Sequence, residues 1–361
     1  MSRRGLSVGV IGCGRIGVKR AGALAPRDSV LACCDVDPAA AQELARRHAC
    51  EVCATAEELL SLAPDVVIIA TVHDQLAALT ELALAAGAHV LVEKPAGVST
   101  AQIERLIECR SAAGRLVKVG FNHRFHPGIA RAAEEVQSGR HGNLMHLRGR
   151  YGHGGRPGYD REWRVQPALS GGGELIDQGM HLLDLSNWFA GPLPLHSALL
   201  RTQFWDTEVE DNAALLLGEP ASRSDPWAML HVSWTEWKNM FSLEIYCDSA
   251  KLQVDGLVRS YGPQRLRIYR MGPDLGRPAL DQIHYPDEDC SWQAEWEHFA
   301  AAIVAADGRE LCGDLHSARS AWRQVEAAYA SGGAYADMRA GAGAGALPCE
   351  GRVRGRIDVP R

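Results

Sequence analysis

Leu6-Ser7-Val8-Gly9-Val10-Ile11-Gly12-Cys13-Gly14-Arg15-Ile16-Gly17 is the stretch on which the fold turns. Leu6 to Ile11 is largely apolar, as in a strand buried on both faces of a parallel sheet. Gly-x-Gly-x-x-Gly follows at once and opens a helical segment, a context that turns a weak glycine pattern into a dinucleotide-binding fingerprint. Gly12 permits a tight turn, Gly14 lets the backbone approach a pyrophosphate at a helix N-terminus, and Gly17 lets helix and strand pack closely. Cys13, Arg15 and Ile16 ride on the same turn, so the run 12–17 is expected at the cofactor.

The pattern repeats outward from this turn. Val30 to Cys34 reads as a second strand ending in Asp35, 18 residues after Gly17. A carboxylate there accepts hydrogen bonds from the adenosine ribose and repels the extra phosphate of NADP. No arginine follows in Val36-Asp37, which favours NAD over NADP. Asp37 and Pro38 supply an N-cap and a first helical residue. Asp65 to Ala70 and His89 to Val92 are further strands, then Leu116 to Gly120, with helices at Gln75 to Ala86 and about Thr100 to Ala113. Strands separated by such helices predict an α/β, doubly wound parallel sheet. Thr71 is expected in the cofactor groove, and His73 reads as readily as a solvated loop histidine. Glu93-Lys94-Pro95 follows the fourth clear strand, which places Glu93 and Lys94 at the carboxyl edge of the sheet, where ligands of such folds bind.

After Phe121 the chain changes character. Strand candidates follow without intervening helices at Leu144 to Tyr151, Ser197 to Phe204, Ala213 to Leu217, Ala228 to Trp234, Phe241 to Cys247, Lys251 to Val254 and Leu266 to Arg270. They predict an α+β domain with a large open, mostly antiparallel sheet. Helical patterns return at Trp292 to Ala305 and Leu315 to Ala330. The expected units are a NAD-binding domain over 1–122, a substrate and oligomerisation domain over 123–337, and a Gly/Ala/Arg-rich mobile tail over 338–361.

Composition sets bounds. The 361 residues carry a net charge of -6, with 46% hydrophobic and 23% charged residues, which gives no electrostatic case for nucleic acid or an anionic membrane. No signal peptide or spanning run is evident, and ten scattered cysteines suit reduced thiols, so a cytoplasmic location is expected. Cys50-Glu51-Val52-Cys53 lacks a second pair or histidine cluster, and no metal is expected.

The second chemical signal is Ser170-Gly171-Gly172-Gly173-Glu174-Leu175-Ile176-Asp177-Gln178-Gly179-Met180-His181-Leu182-Leu183-Asp184. Asp177 and His181 are spaced to share a helix face that Asp184 continues, and their apolar neighbours point to burial around a cleft. Histidine is suited to exchange a proton near neutral pH. Gly179 is read as allowing a ligand or backbone to approach. The loop from Tyr151 to Arg164 is rich in donors and aromatics, as a polyol pocket requires. Its arginines, Arg156, Arg161 and Arg164, leave a phosphate on the substrate open.

The glycine fingerprint, Glu93-Lys94-Pro95, Gly120-Phe121-Asn122-His123-Arg124-Phe125-His126-Pro127, and Gly171-Gly172-Gly173 with Asp177 and His181 occur in this order. In that combination the chain resembles the Gfo/Idh/MocA oxidoreductases over about residues 5 to 335. The resemblance implies NAD(P)-dependent chemistry at a secondary alcohol of a sugar, cyclitol or sugar nucleotide. It implies Lys94, Asp177 and His181 as the catalytic trio, with Asn122, Arg124, Tyr151, Arg156, Trp163 and Arg164 around the substrate. It also implies subunit contacts through the open sheet, hence a homodimer or homotetramer. Two departures stand out. Thr71 is followed by Val72 rather than proline with Leu76 at a later histidine position, and Cys247-Asp248-Ser249-Ala250 replaces a glycine pair in the central hairpin. The block Trp234-Thr235-Glu236-Trp237-Lys238-Asn239 reads as particular to a subgroup. The rival readings are a non-catalytic NAD and sugar sensor that keeps the fold, and a metal-dependent hydrolase or aldolase using His123, His126, Asp177 and His181.

Overall fold

The structure, a computed structural model, describes residues 4–305 and 311–331. The expected tail over 338–361 lies outside the described residues. The first half alternates β1 (Ser7–Ile11), α1 (Arg15–Gly22), β2 (Ser29–Cys34), α2 (Pro38–His48), β3 (Glu51–Val52), α3 (Ala56–Ser61), β4 (Val66–Ile69), α4 (His73–Ala85), β5 (His89–Val92), α5 (Thr100–Ala113) and β6 (Val117–Val119). The strands form a parallel sheet in the order β3-β2-β1-β4-β5-β6. The order reverses between β1 and β4, which opens the crevice where doubly wound folds hold ligands. Every residue of β4 is buried, as helices on both faces require. Asp37 caps α2 by accepting from Ala39 N at 2.9 Å, with Pro38 at the first helical position. The two-residue β3 is absent from the sequence reading because it has no buried face to leave a hydrophobic pattern.

The second half contains α6 (Pro127–Gln137), β7 (Leu144–Gly152), the short α7 (Pro167–Ser170), α8 (Met180–Ala190), β8 (Leu195–Arg201), β9 (Asn212–Leu217), β10 (Trp227–Ser233), β11 (Met240–Cys247), β12 (Ala250–Asp255), β13 (Arg265–Arg270), β14 (Ala279–His284), α9 (Ser291–Ala305) and α10 (Leu315–Ser331). Eight strands run in the order β14-β13-β12-β11-β7-β10-β9-β8. All pairs are antiparallel except β7 with β10. β11 alternates half-buried and buried residues along its length, the signature of a sheet with one covered face. β14, an edge strand exposed at most of its positions, gave no apolar alternation to read. The hairpin at Cys247-Asp248-Ser249-Ala250 closes without glycine, and Asp248 Oδ2 accepts from Asn143 N at 2.7 Å.

The chain crosses between its halves more than once. Trp296 and Phe299 of α9 pack in one cluster with Val8 and Val10 of β1. Trp322 of α10 donates from Nε1 to Pro95 O at 3.0 Å. No helix among the described residues is long and apolar enough to cross a membrane.

Candidate active site

One cleft of about 1140 Å³ runs from the β1–α1 turn to the face of the second sheet. That volume lies just above the range of about 300–1,000 Å³ usual for one small molecule. At one end, Gly12 has φ +93°, and a Cβ there would stand 2.6 Å from Ala70 O. A Cβ on Gly17 would lie 1.9 Å from Gly12 O, so this glycine seats helix on strand and does not itself line the cleft. Beside Gly14 a Cβ would meet nothing within 4 Å, and α1 begins there with no side-chain cap. Its first N–H groups are therefore free for an anion. Asp35 lines the same end and is fixed by N–H groups from Cys13 at 2.5 Å and Asp37 at 2.8 Å. These features fit a dinucleotide: open space at the turn, an uncapped helix start and a carboxylate one strand away. Arg15, Ile16 and Thr71 line this end too. Cys13 does not: its side chain is buried with Sγ 3.5 Å from Cys34 O, so only its backbone serves the turn.

At the other end Lys94, Asp177 and His181 converge on the cleft. The Lys94–Pro95 peptide is cis. Lys94 Nζ donates to Asp177 Oδ1 at 2.8 Å and also to the Asp177 carbonyl. Burial opposes ionisation of Asp177, but the charges of Lys94 and Arg164 and the Lys94 hydrogen bond outweigh it and hold the carboxyl well below its usual range. Burial and then the Lys94 charge hold His181 well below 6.5, so its imidazole is neutral at pH 7. Its ring stacks on His123 at 3.8 Å, and its Nδ1 is buried without a hydrogen bond.

The helix-face expectation needs correction. Leu175–Gly179 forms a π turn before α8 begins at Met180, so Asp177 and His181 do not stand on one regular α-helical face. Such turns recur at functional sites because they re-aim side chains. Asp184 does not continue toward the cleft. It is buried and takes a two-pronged bond from Arg124, at 2.5 and 2.7 Å. Arg124, expected at the substrate, is thereby turned away and does not line the cleft. Gly179 gives no ligand access; a Cβ there would stand 2.9 Å from Leu175 Cδ1 and 3.4 Å from Val232 Cγ2. His73 is no solvated loop residue. It begins α4, is buried, and has Nδ1 2.9 Å from Ser170 O. Burial and the Lys94 charge bring its pKa down to about 3.

Asn122, Tyr151, Arg156, Trp163 and Arg164 all line the cleft. Asn122 Nδ2 donates to Ser291 Oγ at 2.9 Å, and Trp163 meets the His73 ring edge-on at 4.7 Å. The arginines arrive already matched: Glu162 pairs with Arg156 and lies 3.5 Å from Arg164, whose Nε is 3.5 Å from Asp177.

Glu93 was expected at the cofactor, but the groups that surround it, Arg20, Glu295 and Lys118, and the nearby Glu174 left no signal in the sequence. Glu93 lines the cleft, but its carboxylate is held by Arg20 of α1 at 2.6 Å. Arg20 also binds Glu295 of α9 at 2.5 Å, and Glu295 lies 3.4 Å from Lys118 of β6. Arg20, Glu295 and Lys118 are all buried. Glu174, three residues before Asp177, is buried, and burial and the Asp177 charge raise its pKa well above the usual carboxylate range. Only long-range packing assembles such groups, and no local spacing announces them.

Comparison with known proteins agrees with this architecture. Residues 6–121 match the model described as oxidoreductase family, NAD-binding Rossmann fold, and residues 129–253 match the GFO/IDH/MocA C-terminal domain. A levoglucosan dehydrogenase of Pseudarthrobacter phenanthrenivorans is 28% identical over 229 residues, 59% of this chain and 58% of the relative. A D-glucoside 3-dehydrogenase of Escherichia coli is 31% identical over 199 residues, 53% of this chain and 56% of the relative. The matched stretches thus span somewhat over half the length of these curated relatives. A solved levoglucosan dehydrogenase in complex with NADH and L-sorbose superposes with a TM-score of 0.80 at 19% identity, over 91% of this chain and 98% of that one; at that identity the likeness speaks for the fold.

Proposed function

This chain belongs to the Gfo/Idh/MocA oxidoreductase family, and from that premise we propose that it transfers hydride between NAD and a secondary alcohol or ketone of a sugar or cyclitol. The observation that carries the reading is the meeting of Lys94, Asp177 and a neutral His181 in the cleft that also holds the glycine turn and Asp35. Bound along Gly12, Gly14 and Asp35, NAD supplies the hydride acceptor. The protein's residues then have separate tasks. His181, uncharged, takes the hydroxyl proton; with Nδ1 buried, Nε2 is the nitrogen left for it. Lys94 has three donors, two engaged by Asp177, and the third stabilises the charge that develops on the substrate oxygen. Asp177 stays ionised and fixes the ammonium; its partners are Lys94 and Arg164, so it orients the cation rather than the histidine. Stacking on His123 orients the His181 ring.

The test follows NADH formation with a panel of pyranosides and inositols. Lys94→Ala and His181→Ala should each lower kcat by roughly 10²–10⁴-fold while NAD affinity stays near wild type. Full rates in either variant sink these roles. Binding of NAD and sugar with no turnover across the panel favours the sensor reading.

We further infer that a second copy of the chain covers the outward face of the second sheet. Trp227 and Met229 of β10 and Leu199 of β8 are exposed there, and His146 stacks between Trp227 at 4.7 Å and Tyr246 at 4.2 Å. These exposed apolar and aromatic side chains lie beside ion pairs on the same face, such as Arg148 with Glu244 at 2.7 Å, the mixed make-up of a contact between copies. Trp227→Glu with Met229→Glu should lower the sedimenting mass; a monomeric wild type contradicts the inference.

A further inference from the structure

Next to the wall of the cleft stand aromatic side chains that hydride transfer does not use. Phe204 and Trp237 are 59% and 67% exposed. They meet edge to face at 4.7 Å, and Phe204 meets Trp205 at 5.3 Å. Trp205 joins this pair to the cleft. Its ring lies 2.3 Å from where a Cβ on Gly155 would stand and 5.6 Å from the Tyr159 ring, and both Gly155 and Tyr159 line the cleft. Asn239, two residues beyond Trp237, lines it as well.

The platform is built rather than loose. Asp211, fully buried, accepts the successive N–H groups of Gln203, Phe204 and Trp205 at 2.9, 2.8 and 3.0 Å. Trp205 Nε1 donates to Trp234 O at 3.1 Å. Glu236 N donates to His153 O at 3.2 Å, which ties the Trp237 loop to the cleft wall. Trp237 itself sits at φ +45°, a left-handed conformation that bulky residues rarely adopt and that persists where surroundings impose it. Phe204 on a backbone pinned by a buried carboxylate, with Trp237 on a loop tied to the cleft wall, forms a preorganised apolar surface, the kind that binds a flat ligand face at low entropic cost.

We propose that Phe204 and Trp237 form a second sugar subsite, so that the substrate is an uncharged glycoside. Its reacting ring lies at Lys94, Asp177 and His181; the glycosidically joined ring lays its hydrocarbon face on the aromatic pair, with hydroxyls toward Asn239. The substrate is uncharged because Glu162 and Asp177 already match Arg156 and Arg164; a phosphate there would meet Glu162 as well. This proposal rests on the hydride-transfer reading for its reacting end only.

The test is equilibrium binding by calorimetry in the presence of NADH. Methyl glycosides are compared with phenyl glycosides and disaccharides of the same sugars, drawn from the gluco, galacto, manno and xylo series. For an accepted sugar, the two-ring ligand should bind wild type at least about tenfold more tightly than the methyl glycoside, and in Phe204→Ala/Trp237→Ala that ratio should fall to within about twofold of one. The phenyl and disaccharide arms separate an aromatic aglycone from a second sugar. Equal binding of one- and two-ring ligands to wild type, a ratio that survives in the variant, or no binding by any glycoside overturns the proposal. So does a lower oligomeric mass of the variant, which makes the platform a contact between copies. Because no turnover is needed, two-ring preference without NADH formation from NAD counts against the hydride-transfer reading and leaves the subsite standing.

Discussion

Lys94 owes its chemistry to its neighbours. A lysine at a strand end is ordinary; one held by both the carbonyl and the carboxylate of Asp177 has lost most of its rotational freedom and points one donor at the cleft. The same charge acts on His181. Burial lowers the imidazole pKa first, and Lys94 lowers it further. A base works only when deprotonated, so activity should persist as pH falls through 6.5 and be lost at the lower, folded-state value. The acid limb of kcat/KM against pH should therefore lie well below 6.5; a limb at or above 6.5 contradicts a neutral His181. Sequence alone reached Lys94, Asp177 and His181. It could not reach the protonation states of Asp177 and His181, because these depend on burial and on charges brought near by folding, Lys94 at both and Arg164 at Asp177.

At the scale of elements, the β1–α1 turn separates two kinds of glycine that the fingerprint presents as equals. Gly17 touches Gly12 O, whereas Gly14 faces open space. Gly17→Ala must shift backbone and should destabilise by at least about 1–3 kcal/mol, with a lower Tm. Gly14→Ala should leave Tm nearly unchanged and raise KM for NAD, since its methyl occupies space left for the ligand. Equal losses of Tm in both would contradict this division. The parallel strands were legible because burial on both faces leaves continuous apolar runs, as in β4. The π turn at Leu175–Gly179 was not, because its residues fit an α-helical spacing equally well and the tertiary setting selects the wider turn. The same turn brings Asp177 against Lys94 while Arg124 and Asp184 pair behind it.

Across the whole molecule, Arg20, Glu93, Glu295 and Lys118 join α1, the end of β5, α9 and β6 in one buried ionic group. It ties a helix from late in the chain to the wall of the cofactor groove. Removing one member strands the others without water. Glu295→Ala should cost about 3–5 kcal/mol in denaturant unfolding, while Glu295→Gln, which keeps hydrogen bonding but not charge, should fall between variant and wild type. A loss below about 1 kcal/mol would mean that the charges are relieved by solvent.

Sequence by itself determined the parallel sheet, the open second sheet, the glycine turn with Asp35, and the three residues that converge at the cleft. Each leaves a local trace: a buried run, an alternation, a glycine spacing, or a polar residue inside an apolar segment. Tertiary structure alone decided that Arg124 serves Asp184, that His73 is buried, that His181 is neutral, and that Phe204 and Trp237 meet edge to face. Those outcomes depend on contacts between residues far apart in the chain, where burial and neighbouring charge set both direction and protonation.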